Sequence, residues 1–267
     1  MSANRIVLCA DDFGLSPGVS RGIVELLEAG RLSATSCMVN YPEFACDAKL
    51  LEPFAGHADL GLHFSLTGSR SIASVALECH LRPPRLAVLQ DEVERQLGKF
   101  TEVMGRLPDY IDGHQHVHVL PVVREAVISA AARVGAYVRS TREPIDASMW
   151  RRPSAPESFY LARASRGLDR LARTAGVVTN RGFRGVRTFR EKVPFGELFR
   201  NMIASAHDGT LVICHPGHPD STLAERDPVQ ETRADEWRYL FGPEFPGDLA
   251  NAGLELARLR EIVPLQR

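Results

Sequence analysis

The sequence predicts an α/β fold of parallel strands alternating with helices, closed as a barrel or spread as a doubly wound sheet. Three observations carry this. Six short apolar runs read as strands, segments of helical period lie between them, and the runs are apolar almost throughout. Continuous apolar character means burial on both faces, which is the habit of parallel sheets, and parallel strands need right-handed crossovers through helices. The chain of 267 residues is long for one domain. Parallel α/β barrels reach that size as one unit, so a single domain over residues 1–267 is expected.

The first run, RIVLCA at 5–10, precedes a helix that opens at Ser16 as N-cap with Pro17 in its first turn. Val19, Ile23, Leu26 and Leu27 give that helix its apolar stripe, and Gly30 ends it. ATSCMVN (34–40) and DLGLHFSL (59–66) read as the next two strands. Residues 68–90, with LRPPRL, are expected to be a long loop. A helix over 91–105 places Val93, Leu97, Phe100 and Met104 on one stripe. YIDGH (110–114) is a strand, PVVREAVISAAARVG (121–135) a helix, and AYVRS (136–140) a strand. Residues 141–156 read as a second long loop, and TLVICHP (210–216) as the last strand.

Composition narrows the partners. Lys plus Arg number 32 against 33 Asp plus Glu, so no net field favours nucleic acid or an anionic membrane, and a small substrate is the better expectation. No segment approaches the apolar length of a membrane span or of a signal-peptide core, so no membrane insertion is expected. Five cysteines without a C-x-x-C pair argue against a disulfide framework or zinc ribbon and fit a reduced, cytoplasmic setting. Cys9 and Cys214 read as packing residues.

In parallel α/β proteins the loops at the carboxyl ends of the strands converge where ligands bind. Four polar clusters fall there: Asp11 and Asp12; His63 in GLHFSLTG; DGHQHVH with Asp112, His114, His116 and His118; and CHPGHPD with His215 and His218. Each has a plainer reading alone: helix-capping carboxylates, a hydrogen-bonded core histidine, an exposed His-rich loop, a turn punctuated by proline and glycine. Together they offer carboxylate and imidazole ligands for a divalent ion with an open position for water. Such an ion would hold Asp12 ionised and leave Asp11 beside it free to accept a proton from water.

ADDFGLSPG, GLHFSLTG, DGHQHVH, NRGFRG (180–185) and CHPG, in that order, resemble the YdjC-like carbohydrate deacetylases, which include the chitooligosaccharide deacetylases. The resemblance implies a distorted (β/α) TIM-like barrel and a metal-dependent hydrolase that removes acetyl groups from N-acetylated amino sugars. It implies one divalent ion, Mg2+ or Zn2+, on Asp12, His63 and His114, with Asp11 as general base and His215 as general acid; mixed oxygen and nitrogen ligands also admit Mn2+ or Co2+. It favours a homodimer. Where the family often has DSHHHVH this chain has Gly113 and Gln115, and the first and last histidines of the motif are retained. Asp112 is a candidate to orient a ligand histidine, Arg184 and Arg187 are candidate substrate or dimer contacts, and residues 219–267 carry no transferable motif. Three other readings stay open: a metal-dependent hydrolase of another amide, ester or phosphoester, a receiver-like signalling domain, or a non-catalytic sugar-binding relative. The receiver-like reading is disfavoured, because later strands end in histidines where it needs a phospho-acceptor aspartate.

Overall fold

Strand β1 (Asn4–Phe13) is the axis of the sheet and pairs on both sides, so its apolar run is buried as expected. The computed structural model describes residues 3–68 and 70–263, and the expected domain limits, 1 and 267, lie outside them. After β1 come α1 (Pro17–Glu28), β2 (Ala34–Cys37), α2 (Pro42–Asp47) and β3 (Asp59–Phe64). Next are α3 (Ile72–Leu81), α4 (Leu86–Met104), β4 (Tyr110–Gly113), α5 (Val123–Val134) and β5 (Tyr137–Val138). The second half holds α6 (Ala155–Thr174), β6 (Gly182–Arg184), α7 (Phe195–Ile203), β7 (Thr210–Cys214) and α8 (Ser221–Arg226). It ends with α9 (Glu231–Phe241), α10 (Glu244–Asn251), β8 (Leu254–Leu256) and α11 (Leu259–Ile262).

The strands pair in the order β5-β4-β3-β2-β1-β7-β6, all parallel, and β8 joins the first residues of β1. The sheet curls until its ends meet at one parallel bridge, Val138 with Thr179. This is a single-domain α/β fold with a distorted barrel, as the motifs implied. One contiguous apolar core fills it. Tyr110 lies against Gly61 of the neighbouring strand, where a Cβ would come within 2.3 Å of the ring, so only glycine admits that close approach.

The six expected strands are present, some shorter than their apolar runs. Ser16 caps α1 by accepting from the Val19 N–H, with Pro17 in the first turn. The expected loop at 68–90 is corrected: it contains α3, capped by Ser71, and the first turn of α4, with Pro83 and Pro84 between them. Helix α3 buries only Val75 and Cys79, leaving no stripe for periodicity to detect. Strands β6 and β8, three residues each, were also missed, being too short for an apolar run to announce them. Among the described residues no helix is long and apolar enough to cross a membrane.

Candidate active site

In a regular strand adjacent side chains point to opposite faces, so Asp11 and Asp12 should diverge. They do not. Between Ala10 and Phe13 strand β1 advances three residues while β2 advances two, a bulge in which Asp12 takes φ +75°. The extra residue turns both carboxylates toward one cleft of about 690 Å³, which they line with His63, His114, His116, His215 and Arg233. Left-handed backbone at a non-glycine residue is costly, and here it places chemistry.

Sheet register supplies the next pair. His63 of β3 lies directly opposite Asp112 of β4, so both side chains point the same way and His63 Nδ1 meets Asp112 Oδ1 at 2.6 Å. That bond turns His63 Nε2 toward Asp12 Oδ1, 3.4 Å away. His114 follows β4 and brings its Nδ1 within 3.1 Å of the same oxygen. Ligand atoms around an ion at about 2.1 Å are spaced about 3.0–3.5 Å apart. The Asp12, His63 and His114 donors, all within 4.8 Å of one another, match that spacing. Asp11, Asp12 and Asp112 outnumber Arg139 and Arg233, so the buried site carries excess negative charge and the donor set fits a divalent cation. Burial opposes charge on His63, yet Asp112 and Asp11 raise its pKa to about 10, the same preference for a cation expressed by a proton.

Cys9, Asp11 and Asp112 form a second cluster, but a guanidinium already fills it. Arg139, fully buried, donates to both oxygens of Asp11 at 2.6 and 2.7 Å and lies 2.5 Å from Asp112 Oδ2. Burial pushes Asp11 toward protonation. Arg139 more than reverses this and holds it well below the usual carboxylate range. In the same cleft His215 Nε2 stands 3.9 Å from Asp11 Oδ2, and burial keeps its imidazole below its ordinary pKa. Glu236 of α9 accepts from the His215 backbone N–H at 2.6 Å and from Arg187 at 2.8 Å. The ring of Phe189, held at φ +58°, packs edge-on to His215 with centroids 5.1 Å apart.

All five residues singled out from sequence, Asp11, Asp12, His63, His114 and His215, line this one cleft. His116 lines it too, in a segment where Gln115 and His116 both take left-handed backbone. His118 does not reach the cleft: it is buried, with Nε2 on the Arg139 carbonyl. His218 pairs with Glu25 and packs on Trp237, also away from the cleft. At Gly113 a Cβ would lie 2.9 Å from the His118 backbone nitrogen, so the loop is built tightly around the glycine this chain carries. Arg187 is buried against Glu236, whereas Arg184 lines an adjoining pocket and donates to Ser205. Sequence reasoning missed Arg139, Arg233 and Glu236, the last two lying in the stretch without a motif.

Comparison with known proteins gives relatives along the whole chain. The human carbohydrate deacetylase is 29% identical over 97% of this chain and 91% of its own length. The chitooligosaccharide deacetylase of Serratia marcescens is 30% identical over 52% of this chain and 60% of its own. A crystal structure from Enterococcus faecalis V583, described as a proposed cellobiose-phosphate cleavage protein, superposes with a TM-score of 0.72 at 20% identity and covers 98% of this chain, showing the shared fold. The model of the YdjC-like proteins matches residues 5–251, a span that takes in the bulge, the histidines and the buried Arg233 and Glu236 of α9, and the chain is therefore a member of the YdjC-like family.

Proposed function

We propose that this protein is a metal-dependent hydrolase that removes acetyl groups from N-acetylated amino sugars. One observation carries the reading: three metal-competent donors from three separate segments meet in a cleft that also holds a carboxylate and an imidazole 3.9 Å apart. The names of the relatives, carbohydrate and chitooligosaccharide deacetylases, supply the substrate class.

Asp12, His63 and His114 would hold the ion, which when bound supplies Lewis acidity that makes a water acidic enough to attack at neutral pH. Asp11 accepts the proton of that water. Arg139 keeps Asp11 ionised and fixes its orientation, so it enters the step as a proton acceptor. His215 rests neutral, and the proton taken by Asp11 is within 3.9 Å of its Nε2. Passing it there lets His215 protonate the departing nitrogen as the amide C–N bond breaks, giving acetate and a free amine. Phe189, beside His215, offers an apolar wall to the sugar ring.

Acetate release from a panel of N-acetylated sugars, with stripped protein reloaded by each divalent ion, tests the reading. Asp11→Asn should keep the ion while turnover falls about 10²-fold or more, whereas His114→Ala should lose ion and turnover together. Wild-type turnover in Asp11→Asn would remove the base from the scheme. A homodimer, as the resemblance implies, and a cytoplasmic setting, as the unpaired cysteines suggest, belong to the same proposal, and light scattering measures the assembly.

A further inference from the structure

The two oxygens of Asp12 have different neighbours. Oδ1 faces His63 and His114, while Oδ2 accepts from Arg233 Nη2 at 2.7 Å. Arg233 is 2% exposed and comes from α9, some 220 residues along the chain. The same Nη2 donates to Asp227 Oδ2 at 2.6 Å, Nε to the Val229 carbonyl at 3.2 Å, and Nη1 reaches the His215 carbonyl at 3.5 Å. A guanidinium needed only to dock α9 could pair with Asp227 alone. This one is also carried to the floor of the cleft and set on a candidate ligand.

We infer that Arg233 is a positioning residue that withholds one oxygen of Asp12 from the metal, weakening ion binding so that coordination positions stay open for water and the substrate carbonyl. This rests on the metal-centre reading above. A fixed positive charge beside a cation disfavours that cation, and in a buried site the repulsion is poorly screened. A carboxylate freed at both oxygens would take up room around the ion that catalysis needs open. Asp227 works in the opposite sense, since its charge offsets that of Arg233.

The two variants should therefore move ion affinity in opposite directions. The measurement is calorimetric titration of Zn2+ alone into chelator-stripped wild type, Arg233→Gln, Asp227→Asn and Asp12→Ala, with acetate release followed in parallel. We expect Arg233→Gln to bind Zn2+ about 3- to 30-fold more tightly while kcat falls at least about tenfold, and Asp227→Asn to bind about threefold more weakly. Equal or weaker binding by Arg233→Gln overturns the inference, as does a shift of both variants in one direction. If Arg233→Gln does not melt cooperatively, Asp227→Asn decides: weaker binding supports the inference and unchanged or tighter binding overturns it. Wild type that binds no more Zn2+ than Asp12→Ala removes the metal centre and this inference with it. Wild type that binds through Asp12, with Arg233→Gln failing as stated, removes the inference alone.

Discussion

Arg139 shows how far one side chain can organise a site. Its guanidinium joins Asp11, the proposed base, to Asp112, the carboxylate behind His63, and also meets Cys9 and Ser36, all within the core. Replacing it takes the shared guanidinium from two buried carboxylates, and removing one side of a buried ion pair costs about 3–5 kcal/mol. Urea denaturation of Arg139→Met should show a loss of that size, and a loss below about 1 kcal/mol would mean that other groups hold the carboxylates. Residues of the site differ in how legible they are. Asp11, Asp12, His63, His114 and His215 stand out because each is a polar break at the end of an apolar run. Arg139 gave a weaker sign of the same kind in AYVRS. Arg233 and Glu236 gave none: ETRADEWRYLF alternates charges like any solvated helix, and their partners lie elsewhere in the chain, Asp12 of β1 for Arg233 and Arg187 and the His215 N–H for Glu236. The bulge at Asp12 was equally silent, because the sequence there contains no glycine or proline to mark it.

At the scale of elements, α11 is fastened to the base of the barrel by charge. Asp59, at the start of β3 and fully buried, accepts from the Leu259 N–H at 2.9 Å and the Tyr137 hydroxyl at 3.1 Å, and it pairs with Arg260 at 3.2 Å. Burial, together with nearby Asp109, raises its pKa from 3.8 to about 6 despite Arg260. A carboxylate that binds its proton more tightly when folded adds stability that is complete below the unfolded value and is lost as pH rises through about 6. Asp59→Asn lacks this dependence. The difference in unfolding free energy, wild type minus Asp59→Asn, should therefore grow by about 2–3 kcal/mol between about pH 8 and about pH 4, and a flat difference would place the titration elsewhere. Elements themselves were legible in proportion to length and patterning. Strands of four residues or more each coincide with an apolar run that marked them, β1 extending past its run at both ends, whereas α3, with Leu77 and Leu81 facing solvent, breaks the rule that helices show one apolar face.

For the molecule as a whole, the weak place is the seam where the curled sheet returns on itself. Its two edge strands, β5 and β6, have two and three residues, too few to build a ladder between them. Backbone contributes the bond from the Val138 N–H to the Val178 carbonyl at 3.0 Å. The rest comes from the side chain of Asn180, whose Oδ1 accepts from the Ser140 N–H at 2.7 Å and whose Nδ2 donates to the carbonyls of Ser140 at 2.9 Å and Gly182 at 2.7 Å. One amide thus stands in for a missing strand residue, and its removal strands three buried backbone groups at about 1–3 kcal/mol each before relaxation. Ser140 follows Arg139, so any opening of the seam reaches the guanidinium under Asp11. Asn180→Ala should therefore lose about 3–5 kcal/mol of stability. Its amide exchange should rise at residues 138–140 while β1 keeps its protection, and turnover should fall by more than the unfolded fraction explains. Uniform loss of protection across β1 and β5 would show instead that the ring opens as one cooperative unit, with no local seam to weaken.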